Sequence, residues 1–173
     1  DDIRYVAIAI NTFTANPPSA EKGSTVSIVQ FTYGLNKVPA TLKFGSEDLT
    51  PAKSGTKTIT DQSITANKTW TLTASDNGSA TIAPKTVTRN VTLSFVNKAY
   101  WGVGAIPSTL NSAFILGLEG KTLTTTRVRT FTVTAASGQY IWYAYPASMG
   151  DAVFTVGGYE GGFENPQKIQ FTN

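Results

Sequence analysis

Five carboxylates are the candidates for paired action, and paired carboxylates are the groups that hydrolyse glycosidic bonds. Glu47 and Asp48 are adjacent, Asp151 stands alone, and Glu160 and Glu164 flank a glycine pair beside aromatic residues. A glycosidase holds its two carboxyl groups about 5–10 Å apart. Acids framed by glycines are also typical of solvated turns that carry out no reaction. Hydrolysis by Glu160 and Glu164 is therefore the least favoured of the functions that the residues leave open.

Other common chemistry is excluded by composition. The chain has no histidine and no cysteine, so it can form neither histidine-based catalytic triads nor metal sites that use these ligands. Gly157-Gly158 and Gly161-Gly162 open no helix and lack the Lys-Ser/Thr of a phosphate-binding loop. The oxygen donors considered for calcium are Asp61, Asp76, Asn77 and Asp151. They do not form an Asp-x-Asp ladder, so we expect no catalytic residue, no cofactor and no metal.

Aromatic side chains are the better candidates for binding, because Trp and Tyr are enriched at the energetic centres of interfaces. The candidate interface or glycan contacts are Trp101, Tyr140, Trp142, Tyr143, Tyr145, Tyr159 and Phe163. Alternation along a strand places Tyr140 and Trp142 on one face and Tyr143 and Tyr145 on the other. One face is expected to be core and the other a surface or interface. Core packing is the alternative for any single ring.

The elements that position these residues are predicted to be strands. Segments that alternate apolar and polar residues cover 5–13, 24–33, 40–44, 56–64, 68–75 and 87–96. Short strands with turns every 8–12 residues or so are typical of an immunoglobulin-like (Ig-like) sandwich. Trp70 is its expected core aromatic, and Asn77-Gly78 predicts a two-residue hairpin turn.

The pattern changes after residue 96. A short helix is predicted within 106–118, starting at Pro107-Ser108 and stopping at Gly117. Further strands are predicted over 127–135, 139–145, 152–156 and 168–171. The chain is thus predicted to be all-β, with an N-terminal Ig-like β-sandwich over residues 1–96 and a second, smaller β-rich unit over residues 97–173. The second unit is small for an independent core, so we expect it to pack on the first domain, on further chain or on neighbouring subunits.

Charge and hydropathy exclude two classes of partner. The 173 residues carry a formal net charge of +3, and the basic residues are scattered rather than clustered, unlike the basic stripe of a nucleic-acid interface. No run of about 18 apolar residues is present, so we expect no membrane insertion. The start, Asp1-Asp2-Ile3-Arg4, lacks the pattern of a signal peptide.

Several segments resemble a family of bacteriophage structural proteins that carry an Ig-like domain and occur in tail, baseplate and fibre assemblies. The segments are 23–26, 31–33, 36–39, 69–76 (Thr-Trp-Thr-Leu-Thr-Ala-Ser-Asp), 95–103 (Phe-Val-Asn-Lys-Ala-Tyr-Trp-Gly-Val), 129–133, 138–146 (Gly-Gln-Tyr-Ile-Trp-Tyr-Ala-Tyr-Pro), 154–163 and 169–173. The aromatic run together with the doubled glycine pairs makes the second half the more specific part. Such proteins continue past the final Phe171-Thr172-Asn173, which leaves open that this chain is a fragment.

The resemblance implies a non-enzymatic virion module that mediates assembly or host-surface contact. Its expected partners are other virion subunits, with the chain itself homo-oligomeric, and a host cell-surface glycan; its expected location is the virion, after synthesis in the host cytoplasm. The alternative is a carbohydrate-binding module of a secreted or surface protein that uses Trp101, Trp142, Tyr143 or Tyr159 as stacking platforms.

Overall fold

The computed structural model describes residues 5–156, 159–160 and 169. Among these residues the regular structure is almost entirely β-strand, which confirms the all-β prediction. The chain divides into two compact units, Asp1–Phe95 and Val96–Asn173. The predicted strand over 168–171 and the candidate contact Phe163 lie outside the described residues.

Two sheets build the first unit. Its strands are β1 (Ile10–Asn16), β2 (Ser19–Glu21), β3 (Val29–Leu35), β4 (Thr41–Phe44), β5 (Glu47–Leu49), β6 (Ser54–Ile59), β7 (Lys68–Ser75) and β8 (Thr86–Val96). One sheet has the order β1-β3-β6 and the other β2-β8-β7-β4-β5. Strand β7 begins and ends at the predicted residues, whereas the strand predicted over 24–33 is displaced to Val29–Leu35.

The core lies between these two sheets. Along β3 the apolar residues from Val29 to Leu35 are buried while Gln30 and Thr32 are exposed, the alternation expected when one face of a sheet is covered. The Phe31 ring in the first sheet lies 4.8 Å from Phe44 and 4.9 Å from Trp70 in the second. These contacts across the interior make the first unit a β-sandwich, and the half-buried Trp70, predicted as the core aromatic, packs against this core.

The N-terminal strand is shorter than predicted. Strand β1 begins at Ile10 rather than residue 5, and the segment before it is held by side chains instead of a ladder. Oδ1 of Asn36 accepts the backbone N–H of Ala9 at 2.9 Å, and its Nδ2 donates to the carbonyl of Ala7 at 2.7 Å. These side-chain hydrogen bonds, with one backbone bond from the N–H of Asn36 to the carbonyl of Ala9 at 3.1 Å, replace a regular ladder beside the buried Ile8.

The predicted two-residue hairpin at Asn77-Gly78 is wrong. Strand β7 ends at Ser75 and β8 starts only at Thr86. Between them Oδ1 of Asp76 accepts the backbone N–H of Gly78 at 3.0 Å and that of Lys85 at 2.9 Å. A carboxylate therefore organises a longer connection where the Asn-Gly signal indicated a tight turn.

The second unit is built from shorter elements. They are β9 (Lys98–Gly104), α1 (Ser112–Leu116), β10 (Gly120–Leu123), β11 (Tyr140–Ala144), a 3-10 turn (Ala147–Met149), β12 (Thr155–Val156) and β13 (Tyr159–Glu160). One sheet has the order β10-β9-β11, and β12 and β13 form a two-stranded pair.

Three predictions for the second unit need correction, the first being the strand over 152–156, which is reduced to Thr155–Val156. Helix α1 starts after Asn111, whose side chain accepts the backbone N–H of Phe114 at 3.0 Å, and not at Pro107-Ser108; the predicted stop at Gly117 is right. No strand forms over 127–135. Alternation alone makes no strand without a ladder partner, and here Phe131 packs its ring on Trp101 instead.

Candidate functional site

The candidate aromatics are positioned by the pairing of β11 with β9. Tyr143 lies directly opposite Trp101, and Trp142 lies opposite Gly102. Residues opposite each other in an antiparallel pair project to the same face of the sheet. Trp101 and Tyr143 therefore share one face and Trp142 belongs to the other, which is the division of β11 that alternation predicts.

A group of rings covers the face that carries Trp101. We call it the aromatic cluster, and its members are Trp101, Phe131, Tyr143, Tyr145 and Phe154. Phe131 stacks on Trp101 with 5.4 Å between ring centroids and on Tyr143 with 5.5 Å. Tyr143 stacks in turn on Tyr145 at 5.3 Å. These separations are those of offset-stacked aromatic pairs, so the half-buried rings stabilise one another.

Trp101 is enclosed from both sides. A Cβ added at Gly120, its neighbour on β10, would overlap the atoms of the indole, so the ring lies directly on the glycine backbone. The Arg129 guanidinium lies 5.8 Å from the indole centroid and donates to the carbonyl of Leu123 at 3.2 Å. Trp101 therefore fills a packing position in this unit, as the core alternative for the aromatics allowed.

Trp142 also packs within the unit. Its Nε1 donates to the carbonyl of Gly104 at 3.1 Å, and its ring meets Phe114 of α1 edge to face at 4.9 Å. Leu118, just past the helix, is buried and lies against Gly102. The helix thus covers the face of the sheet opposite the aromatic cluster.

Exposure separates the remaining candidates. The Tyr145 hydroxyl accepts the backbone N–H of Ala152 at 3.1 Å, which ties this ring to the next loop. Tyr140 is 51 % exposed and its neighbour Ile141 is 38 % exposed. Of the candidates whose side chains the structure describes, Tyr140 is the one most open to solvent. Tyr159 is placed in β13 by its backbone.

Of the acidic candidates, Glu47 and Asp48 are each held by a lysine. Glu47 and Asp48 form ion pairs with Lys57 and Lys43, the second at 3.1 Å. Glu160 is described only as part of β13, and Glu164 lies outside the described residues. Over 5–156 and the few later residues described, no three acidic side chains gather as metal ligands.

One carboxylate of the first unit is buried among donors. Asp76, 6 % exposed, accepts the Tyr5 hydroxyl at 2.7 Å and the Ile8 N–H at 2.9 Å, and its Oδ2 lies 3.1 Å from Nζ of Lys37. The backbone N–H of Lys85 most strongly, then the Tyr5 hydroxyl and Lys37, hold the pKa of Asp76 well below its usual range. The hydrogen bond from the Tyr5 hydroxyl to Asp76 also raises the pKa of Tyr5. These protein partners explain how the charged Asp76 carboxylate, which was considered as a calcium ligand, is accommodated in a buried position.

The sequence analysis missed three phenylalanines that contact the candidate aromatics. Phe131 and Phe154 belong to the aromatic cluster and Phe114 covers Trp142, yet they lie in segments whose pattern indicates only a strand or a helix. Gly120 was missed as well: a lone glycine in a strand marks close approach of another group, but no strand is predicted around this residue.

The comparisons with known proteins add no relative. No protein-family model, no curated protein and no solved structure matches this chain. Among the described residues no helix is long and apolar enough to cross a membrane.

Proposed function

We propose that this chain is a non-enzymatic structural or adhesion module of a bacteriophage virion, in a tail, baseplate or fibre. Its role would be to present a binding surface: a rigid sandwich carries a second β-unit, which contacts neighbouring subunits or a host-surface glycan. Other virion subunits, including further copies of the chain, are the partners in this proposal, and the virion is its location.

The distribution of buried side chains is the observation that carries the proposal. Fifteen of the seventeen buried apolar residues in the described part of the chain belong to the first unit, and only Ala99 and Leu118 belong to the second. The second unit also exposes Val128 at 86 % and Val153 at 74 %. Apolar surface of this kind, in a unit whose described residues form so small a core, is expected to be covered by another chain.

The strand order of the first unit supports the resemblance on which the phage assignment rests. Strands β1, β3 and β6 form one sheet, while β4, β7 and β8 belong to the other. This is the distribution of strands A, B, E and C, F, G in Ig domains. We infer that the sandwich is Ig-like, a fold that hosts many functions and gives no activity by itself.

Labelled electron microscopy tests the virion assignment directly. Antibodies raised against the purified chain would be applied to phage particles released by the strain that encodes it, with gold-labelled secondary antibody. We expect gold at one place on the particle, such as the tail tip or the fibres. Particles without label, from a lysate in which the chain is detected by immunoblot, would contradict the proposal.

Carbohydrate binding is the second candidate, and the exposed Tyr140 ring is the observation in its favour. The ring contacts of Trp101 and Tyr143 count against it, because those rings already stack on other side chains. A glycan array with the wild type and Tyr140→Ala separates the candidates. Binding of the wild type to particular glycans that Tyr140→Ala abolishes would favour a carbohydrate-binding module. An absence of binding to any glycan on the array would favour assembly.

A further inference from the structure

The outer strands of the sheets differ in how they are protected against pairing with another chain. An edge strand presents unpaired N–H and C=O groups, and proteins protect such edges with charge, short length, breaks in register or a covering group. An edge without these features is a template for strand addition. The edges of this chain can be compared one by one.

The edges on one side of the sandwich are protected. The ladder of β1 with β3 shifts register between Ile10 and Thr12. Nη1 of Arg89 donates to the carbonyls of Ile10 at 3.0 Å and Asn11 at 2.6 Å, which occupies acceptors of β1 at the irregularity. Strand β2 has only three residues.

The remaining sandwich edges carry charge. Strand β5 has three residues, two of them Glu47 and Asp48. Lys57 on β6 forms an ion pair with Glu47, and Lys43 forms one with Asp48. Symmetric pairing of either strand with a second copy would bring these side chains close to like charges of their own copies, which is destabilising where the charges lie directly opposite.

Strand β11 is different. Among the residues that the structure describes, it lies at the end of the order β10-β9-β11, whereas β10 at the opposite edge carries the exposed Lys121 and is overlaid at Gly120 by the Trp101 indole. Residues 138–146 contain no charged side chain. Tyr140 and Ile141, on opposite faces of β11, are both exposed. The ladder of β11 with β9 is regular over all five residues.

We propose that β11 is the surface through which a second copy of this chain binds, by antiparallel pairing of β11 with β11 around a two-fold axis. The result is a six-stranded sheet in the order β10-β9-β11-β11-β9-β10. The inference rests on the proposed assembly function and names its partner. A second copy is the occupant that the chemistry favours, because a two-fold sets a strand against itself and this strand brings no like charges together.

Cysteine cross-linking tests the pairing, since the chain has no cysteine of its own. Single cysteines replace Gln139, Tyr140, Ile141 or Ala144, and the variants are oxidised alone and in pairwise mixtures. The packing residues Trp142 and Tyr143 are left intact. Val128→Cys, at an 86 % exposed position of the same unit, is the control for random collision. Circular dichroism confirms that each variant is folded.

We expect the cross-linking yields to reveal one fixed register between the two β11 strands. Opposed residues of antiparallel strands have Cα atoms about 4.5–5.5 Å apart, within disulfide range. Disulfide dimers should therefore form best in mixtures whose two positions add up to one constant, such as Tyr140→Cys with Ala144→Cys if Trp142 lies on the axis. Yields that follow exposure alone, with Val128→Cys highest, would overturn the proposal, as would an absence of cross-linked dimer.

Charge substitution provides an independent measurement. Ile141→Lys should lower the dimer fraction measured by sedimentation at least tenfold, whereas Val128→Lys, the same charge change away from β11, should leave it unchanged. An equal effect of both variants, or of neither, would contradict the pairing. The two proposals can fail separately. Gold-labelled particles together with no β11 cross-linking register would support the virion assignment and contradict the β11 pairing. A β11 register together with unlabelled particles would support the pairing and contradict the virion assignment.

Discussion

At the scale of single residues, Asp76 connects parts of the first unit that are far apart in the sequence. Its carboxylate accepts hydrogen bonds from Tyr5 and Ile8 ahead of β1 and from Lys85 ahead of β8, and it pairs with Lys37. A buried carboxylate remains charged when its partners replace the lost water. The sequence indicated Asp76 only as an oxygen donor beside a predicted turn, because its partners come together only in the folded chain.

Asp76→Asn should lower the Tm of the chain several times more than Asp48→Asn. The amide turns one acceptor oxygen into a donor that faces N–H groups, and it leaves Lys37 without its ion pair. Asp48 is the matched control, because its carboxylate is exposed and its ion pair with Lys43 lies at the surface. Thermal melts followed by circular dichroism measure the difference, and equal shifts would show that Asp76 does not connect these segments.

The depressed pKa of Asp76 predicts the pH dependence of stability. The unfolded carboxyl titrates near its ordinary value of about 4, and the folded one at lower pH. Its contribution is therefore fully present above about pH 4 and is lost as the pH falls below that value. Urea unfolding at pH 7 and pH 3 should show the wild type and Asp76→Asn converging on acidification. A constant gap between the two would contradict the assignment.

At the scale of elements, Gly120 determines how the aromatic cluster sits on its sheet. The Trp101 indole occupies the space that a Cβ at Gly120 would need, whereas a Cβ at Gly104 would only touch Phe114 and Trp142 at 3.9 Å. Both glycines lie in strands of the same sheet, which makes them a matched pair.

Gly120→Ala should destabilise the second unit by about 1–3 kcal/mol, the usual cost of overpacking, and should shift the tryptophan emission. Gly104→Ala should have a smaller effect on both. Chemical unfolding followed by fluorescence is the measurement. If the two substitutions have equal effects, the indole does not lie on Gly120 as described.

The elements that the sequence predicts well are those whose alternation and partners agree. Strand β7 has threonines facing solvent, Leu72 in the core and a neighbour on each side, so local pattern and tertiary context agree. The segment around Phe131 has the same alternation without a partner strand, and tertiary packing decides its conformation. For the candidate site, alternation predicted which faces of β11 the aromatics share, but exposure depends on Phe131, Phe114 and Gly120, which only the fold brings near.

At the scale of the whole molecule, the unequal cores predict unequal local stability. Backbone amides of β3 and β7, beside the fully buried Phe31 and Leu72, should exchange with solvent far more slowly than those of β9 and β11. Local opening requires less free energy where few apolar side chains are buried. Hydrogen exchange followed by mass spectrometry on the intact chain tests this.

Dilution provides the control for that experiment. If copies pair through β11, protection of β9 and β11 should rise with protein concentration while that of β3 and β7 stays constant. Equal, concentration-independent protection in both units would contradict the unequal cores and the pairing together.

The side-chain bonds ahead of β1 also determine how the sandwich would bear mechanical load. Tension applied to the chain ahead of Tyr5 meets bonds to Asp76 and Asn36 in alternation, first that of Tyr5 to Asp76, then those of Ala7 to Asn36, Ile8 to Asp76 and Ala9 to Asn36. The force passes sideways into the ends of β7 and β3 before it reaches the ladder of β1. A strand pulled directly from its end unzips one pair at a time, whereas this arrangement requires two anchors to break first. The segment ahead of β1 thus protects the β1–β3 ladder from tension until its own hydrogen bonds have broken.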